Sequence, residues 1–264
     1  MIPKVLHYCW FGRGPLDTLS LKCIDSWKKY CPDYQIKVWN EDNFDIHQNT
    51  FVEEAYAERK WAFVTDYVRL YVLYHEGGIY LDADVELVKN LDDLLSLGGV
   101  VTGYQDCTIP AAIMLAEKGN PWIYELLSYY DNRHFCLPDG RLDMIQNDRI
   151  ITMISIKKCG FKMWDSEINF GNVLLFPAIY FGPNRKSRDK TKTLEKQFKL
   201  SKKKTYAIHH GNGSWSDVKN TRQGKTRLAL THILRQILPE FLYVRIKWIY
   251  IKYKLDEFWD NYNV

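Results

Sequence analysis

The hydrophobic positions of this chain come in short runs closed by Gly, Pro and Asn clusters, and the runs alternate between strand and helix spacing. Lys4 to Phe11 is a nearly continuous apolar and aromatic run stopped by Gly12-Arg13-Gly14-Pro15, which predicts a buried parallel strand. Leu16 to Tyr30 has helical spacing through Leu19, Cys23, Ile24 and Trp27 and stops before Pro32. Tyr34 to Trp39 alternates as a second strand. Strand, helix, strand opens an α/β sheet. Glu53 to His75 then reads as largely helical, and from Trp61 onward it is apolar almost all round, so it should be buried. Gly77-Gly78 caps that helix and turns the chain into Ile79-Tyr80-Leu81.

Further on, Val85 to Val88 predicts a short strand, Asn90 to Leu95 a short helix and Val100 to Tyr104 a strand. Ile109 to Leu115 is a strand or the start of a helix. Pro121 to Tyr130 and Asp143 to Lys158 have helical spacing, the latter ending at Gly160. Thr205 begins a last strand that becomes the Gly-rich loop His209-His210-Gly211-Asn212-Gly213-Ser214-Trp215.

The third strand leads into Asp82-Ala83-Asp84. If strand geometry continues, Asp82 and Asp84 share a face and Ala83 points into the core. Carboxylates so close repel unless a cation lies between them. Oxygen ligands favour Mg²⁺ or Mn²⁺, an ion suited to holding a diphosphate as it leaves. A polar turn is the plainer reading; the Gly pair and Ile-Tyr-Leu in front favour the metal. In the preceding helix, Asp66 and Arg69 interrupt an apolar stretch on one face. They either pair with each other or face a ligand. Trp10 lies at the carboxyl end of the first strand, where ligands of open α/β sheets bind. It is either a platform for a flat base or core.

A net charge of +4 over 264 residues gives no nucleic-acid signature. The 6 Cys form no Cys-x-x-Cys pair and no zinc spacing. The first residues lack the apolar core of a signal peptide. These features predict a cytoplasmic protein with reduced thiols.

The N-terminal Ile-Pro-Lys-Val-Leu-His-Tyr-Cys-Trp-Phe-Gly, the helix with Ala62, Asp66, Arg69 and Leu73, and Gly-Gly-Ile-Tyr-Leu-Asp-Ala-Asp together resemble glycosyltransferase family 32. That family includes small bacterial capsule and lipopolysaccharide sugar transferases and yeast initiating mannosyltransferases. It is also similar to the catalytic domain of large clostridial glucosylating toxins. The resemblance is dense over residues 1–90. It implies a GT-A fold, that is, a Rossmann-like mixed sheet flanked by helices. It also implies a nucleotide-sugar donor, Mn²⁺ or Mg²⁺, and retention of anomeric configuration.

By the same resemblance, Asp84 binds metal and Asp82 binds metal or the ribose. Trp10 stacks the base beside the backbone of Tyr8 and Cys9, and Asp66 and Arg69 hold the donor. His209, in preference to His210, completes the metal site, with Ser214 and Trp215 closing over the diphosphate. Gln146-Asn147-Asp148-Arg149-Ile150 is similar to a stretch that lies beneath the anomeric carbon in other retaining enzymes. Asn147 and Asp148 are therefore candidate catalytic residues, with helix N-terminal chemistry as the alternative. Trp-Phe-Gly resembles uridine-binding members, which points to a UDP-hexose. Where related transferases often present an Asn near the donor sugar, this chain has Ala111-Ala112.

The chain divides on this reading into a transferase domain at 1–224 and a basic, aromatic helical extension at 225–264, which Pro239 splits into two helices. That extension suits a membrane interface, core packing or a dimer contact. Residues 185–204 are rich in Lys and Arg and read as a solvated loop, a lid over the diphosphate or a site for anionic lipid. The expected function is transfer of a hexose to a glycan or lipid-linked glycan in bacterial surface polysaccharide assembly, at the inner face of the plasma membrane. A metal-dependent phosphohydrolase or nucleotidyltransferase and a non-catalytic membrane-attached scaffold are the alternatives.

Overall fold

The computed structural model describes residues 1–105, 108–161, 168–183 and 192–211, with scattered positions between 237 and 253. The chain divides into two compact units, Met1–Gly211 and Asn212–Val264. Unit 1 is built from β1 (Val5–Cys9), α1 (Thr18–Tyr30), β2 (Gln35–Trp39), α2 (Thr50–Ala57), α3 (Trp61–His75), β3 (Gly78–Leu81), β4 (Val85–Leu87), α4 (Asp92–Leu95), β5 (Val100–Tyr104), β6 (Ile113–Ala116), α5 (Pro121–Leu127), α6 (Asn147–Cys159), β7 (Ile168–Phe170), β8 (Val173–Pro177), α7 (Leu194–Gln197) and β9 (Ala207–His209). Seven strands form one mixed sheet in the order β2-β1-β3-β6-β5-β8-β7, and β4 and β9 form a separate ribbon. The α/β sheet flanked by helices that the sequence predicts is present.

Strand direction decides where the site lies. β2, β1 and β3 are parallel, β6 runs against β3 and β5, and β8 is parallel to β5. The carboxyl ends of β1, β3, β5 and β8 therefore share one edge of the sheet, the edge where such sheets bind ligands. Alternation sorts the side chains between the two faces. Leu6, Tyr8, Ile79 and Leu81 join the core under α1, with Cys23, Ile24 and Trp27. Tyr80 faces the other way, where the Arg69 guanidinium of α3 lies 4.9 Å from its ring centre.

Several boundaries differ from the sequence reading. The predicted helix from Glu53 to His75 is two helices, α2 and α3. Between them Arg59 adopts φ +55°, and the N–H groups of Arg59 and Lys60 bond back to the carbonyls of Tyr56 and Ala55. This is a left-handed helix end made without glycine, so the usual stop signal is missing. The 109–115 segment resolves as strand β6. The predicted helix at 143–158 begins only at Asn147 and ends at the left-handed Gly160. The hairpin β7–β8, turning at Gly171 with φ +58°, has no counterpart in the sequence reading. Within the basic run at 185–204, α7 forms and Phe198 after it is buried, so this part is not a solvated loop.

Gly77 and Gly78 show why a glycine pair joins α3 to β3. Both have positive φ, +70° and +99°, a region side chains avoid. A Cβ on Gly77 would meet the Lys118 backbone nitrogen at 2.7 Å, and one on Gly78 the Val5 carbonyl at 2.8 Å. The Gly77 carbonyl is held by the fully buried His7, whose Nε2 donates to it at 2.9 Å. Trp39 Nε1 donates to His7 Nδ1 at 3.1 Å. His7 thus links β1 to β2 and to the glycine turn, and its acceptor nitrogen requires the neutral ring.

In unit 2, Ile237 lies in a helix before Pro239, and the N–H groups of Leu242 and Tyr243 bond to the Pro239 carbonyl at 2.9 and 3.0 Å as another begins. Among the described residues no helix is long and apolar enough to cross a membrane.

Burial pushes the pKa of His7 below its ordinary 6.5, outweighing the Gly77 hydrogen bond and the Glu76 charge. A depressed folded pKa means that the unfolded chain binds the proton more readily. Stability from His7 is therefore present above pH 6.5 and falls as pH drops below it. Urea unfolding from pH 8 to pH 5 should show this loss, and His7→Gln should flatten it; an unchanged slope would remove His7 as its source.

Candidate functional site

The site is built on the turn between β3 and β4. The strand stops at Leu81, so Asp82 and Asp84 do not lie on one strand face, as strand alternation predicts. They sit in a tight turn in which Val85 N–H bonds to the Asp82 carbonyl at 2.9 Å. Ala83 is only half-buried, packed against the core. The turn still brings the two carboxylates together and adds His209 from the end of β9. Ligand atoms of Asp82, Asp84 and His209 all lie within 4.8 Å of one another, the single such cluster among the described residues. His209 Nε2 is 3.3 Å from Asp84 Oδ1.

This donor set fits a divalent cation. Two carboxylate oxygens and one imidazole suit Mn²⁺ better than Mg²⁺, which prefers oxygen alone. Burial alone would depress His209, but the hydrogen bond and charge of Asp84, with the charge of Asp82, hold its pKa above the ordinary value. The cluster thus carries the excess negative charge that a cation relieves.

The two aspartates are not equivalent. Asp82 Oδ1 accepts from Tyr80 Oη at 2.9 Å and lies 3.3 Å from Arg69 Nη1. Its backbone N–H donates to the Ala112 carbonyl at 2.8 Å. Arg69, buried in α3, also pairs with Asp66 at 3.1 Å and donates to the Ala111 carbonyl at 2.9 Å. Asp66 and Arg69 therefore do pair, and the pair extends to Asp82. Burial raises Asp66 to about 7 despite the opposing Arg69 charge.

Asn147 comes to the same place from the start of α6. It is buried, its Nδ2 donates to the Asp66 carbonyl at 3.3 Å, and its Oδ1 has no hydrogen-bond partner among the described residues. Asp148 instead turns toward Thr108, and burial raises its pKa. Tyr8 is buried edge-on against Trp27 with ring centres 5.5 Å apart. Cys9 is buried too, its thiol pushed up by burial against the opposing charge of Arg69. Trp10 is half-buried, with its indole donating to the Gly14 carbonyl at 2.7 Å. On the other side of His209, a slot lined by Gly103, Gln105, Pro110, Ala112 and Phe181 continues the site along the ends of β5 and β6. Ser214 and Trp215 lie outside the described residues.

Sequence reasoning missed two contributors. Tyr80 orients Asp82; a Tyr two residues before it on one strand face was the available signal. Trp27, fully buried in α1, donates from its indole to the Val85 carbonyl at 2.7 Å and fixes the far end of the turn. Its helical spacing marked it only as core.

Arg69→Met should leave Asp66 and Asp82 without their shared cation and destabilise the fold by about 3–5 kcal/mol. Urea denaturation checks this; a loss under ~1 kcal/mol, the scale of exposed pairs, would show that the network is not buried in effect.

Residues 18–98 match the family described as "Glycosyltransferase sugar-binding region containing DXD motif". The chain is similar to inositol phosphoceramide mannosyltransferase 3 of Schizosaccharomyces pombe, 29% identical over 141 residues covering 48% of this chain and 36% of the relative. It is also similar to glycosyltransferase L373 of Acanthamoeba polyphaga mimivirus, 30% identical over 111 residues covering 40% of this chain and 44% of the relative. The chain thus spans less than half the length of these two relatives. Among solved structures it is similar to the PaToxG glycosyltransferase, with a TM-score of 0.46 and 21% identity over 60% of this chain and 70% of that one. The galactosyltransferase LgtC gives a TM-score of 0.43 and 14% identity over 92% of this chain and 99% of that one. The stretch that matches this family, residues 18–98, includes Asp82-Ala83-Asp84.

Proposed function

We propose that this protein is a retaining, metal-dependent GT-A glycosyltransferase. It moves a hexose from a nucleoside diphosphate, UDP in the first instance, to a glycan or lipid-linked glycan of a bacterial surface polysaccharide. The observation that carries the reading is the convergence of Asp82, Asp84 and His209 inside a stretch that matches a DXD sugar-binding region. The yeast relative's name joins mannosyl transfer to a ceramide-borne acceptor, which accords with a lipid-linked acceptor here.

In this reading Asp84 and His209 hold Mn²⁺ directly. Asp82, already engaged by Tyr80 and Arg69, is less free to give its charge to the ion and serves the ion or the donor ribose. When bound, the cation offsets the negative charge that develops on the leaving diphosphate. Trp10 and the backbone at Tyr8 and Cys9 take the base. Asp66 and Arg69 orient the donor, and Asn147 offers its unpartnered Oδ1 to the sugar. Asn147 takes this place in preference to Asp148, which faces Thr108. In this reading the acceptor attacks from the face the diphosphate leaves, and a diphosphate oxygen takes the acceptor's proton. The basic aromatic tail holds the enzyme at the inner face of the plasma membrane.

A donor-hydrolysis screen tests this. UDP-hexoses with Mn²⁺ should release UDP, EDTA should abolish the release, and Asp84→Asn should lower it by about 10²-fold or more. Anomeric NMR should show a retained configuration in the transferred sugar. Preferential turnover of GDP-mannose would move the donor to guanosine. A trapped covalent glycosyl-enzyme, or an inverted product, would overturn the front-face mechanism.

A further inference from the structure

The metal cluster draws its third ligand from β9, which belongs to no large sheet. Among the described residues β9 pairs only with β4, placing Val85 opposite His209 and Glu86 opposite Ile208. A two-stranded ribbon is marginal by itself, so something must fix the end of β9 if His209 is to stay beside Asp84. The backbone supplies one tie, His210 N–H to the Asp84 carbonyl at 3.1 Å. The side chains supply another. His210 Nε2 lies 2.9 Å from Glu86 Oε2, and Lys22 Nζ of α1 reaches the same oxygen at 3.1 Å. The Glu86 and His210 side chains are 8% and 11% exposed, and Phe198 packs edge-on against the imidazole with centres 5.7 Å apart.

Burial disfavours the Glu86 carboxylate, yet hydrogen bonds from His210 and Lys22 hold its pKa below the ordinary value. A buried carboxylate kept charged by two partners is costly unless both remain in place. The mechanism proposed above makes no use of Glu86. His210 directly follows the last residue of β9, so locking its ring and its N–H limits the rotation of the strand end that carries His209. Glu86 thereby joins three elements: α1 through Lys22, β4 through its own backbone and β9 through His210.

We propose that Glu86 is a positioning residue of the metal centre, acting through His210 to hold the His209 imidazole against Asp84. The proposal rests on the metal-centre reading and adds a residue that touches neither ion nor donor. Mn²⁺ binding followed by electron paramagnetic resonance, without any donor, tests it. Glu86→Leu should raise the Mn²⁺ dissociation constant about 10–100-fold, the range for a group that orients a metal ligand. Glu86→Gln keeps an acceptor oxygen for His210 and should restore most of the affinity. Amide exchange at His209 and His210, measured without metal, should quicken in Glu86→Leu and not in Glu86→Gln. His210→Phe keeps the ring beside Phe198 and removes the bond, so it offers a second route to the same loss if Glu86→Leu fails to fold. Wild-type affinity and exchange in a folded Glu86→Leu would overturn the proposal. Equal losses in Leu and Gln variants, tracking melting temperature, would overturn it too by making Glu86 a general stability residue. A wild-type protein that binds no Mn²⁺ would instead overturn the metal-centre reading, and the exchange comparison would then decide the anchoring.

Discussion

The structure around the site depends on one buried guanidinium. Arg69 stands between Asp66 and Asp82, bonds to the Ala111 and Thr65 carbonyls and lies over the Tyr80 ring. Together the contacts pin four parts of the chain: α3, the turn after β3, the segment leading into β6, and β3 itself. A charge taken out of water is tolerable only with such complete pairing. The demand runs both ways. Asp82 keeps its orientation because Arg69 and Tyr80 hold one oxygen, and α3 keeps its place against the sheet because its arginine has no solvent to retreat to. Asp66 and Asp82 share this one guanidinium, while the Asp84 carboxylate meets the His209 imidazole at 3.3 Å, so negative charge is left over toward Asp84 and His209, the side open to a cation.

The opposite face of the turn is held by groups that meet no ligand. Trp27 donates to the Val85 carbonyl, and Ser26 Oγ accepts the Leu87 N–H at 2.9 Å. These bonds satisfy backbone groups of β4 that a lone ribbon would leave unpaired in a buried setting. α1 thus stabilises the site through main-chain satisfaction, while α3 does so through charge. The two helices lie on opposite faces of the sheet, and the Asp-x-Asp turn is gripped between them.

The legible parts of the sequence were those whose physics is local. β1, α1, β2 and β5 follow from apolar runs and stop signals, and the pairing of Asp66 with Arg69 follows from their spacing on one buried helix face. The break between α2 and α3 was hidden because Arg59, not glycine, takes the left-handed position. Asp82 and Asp84 were legible as a pair, but strand alternation gave the wrong reason; the turn brings them together. Glu86 carries no signature, because its role arises from register and from pairings distant in sequence. Ala111-Ala112 reads as a departure from related enzymes when only side chains are considered. In the structure its carbonyls accept from Arg69 and from the Asp82 N–H, a role any residue type can fill and no sequence pattern announces.

The matched sugar-binding region ends at residue 98, yet its motif does not take its shape from that region alone. The turn at Asp82-Ala83-Asp84 is held from outside by the carbonyls of Ala111 and Ala112, by Asn147 through Asp66 and by β9 through His209 and His210. Pairing β9 with β4 closes the chain across everything from α4 to α7, an entropic cost that local contacts within 18–98 cannot recover. The carboxylates acquire their separation and their third partner only when the later strands have docked. The motif is thus best understood as the least local part of the fold: a short signature whose geometry is fixed by residues far along the chain, in the large sheet and in the separate β4–β9 ribbon alike.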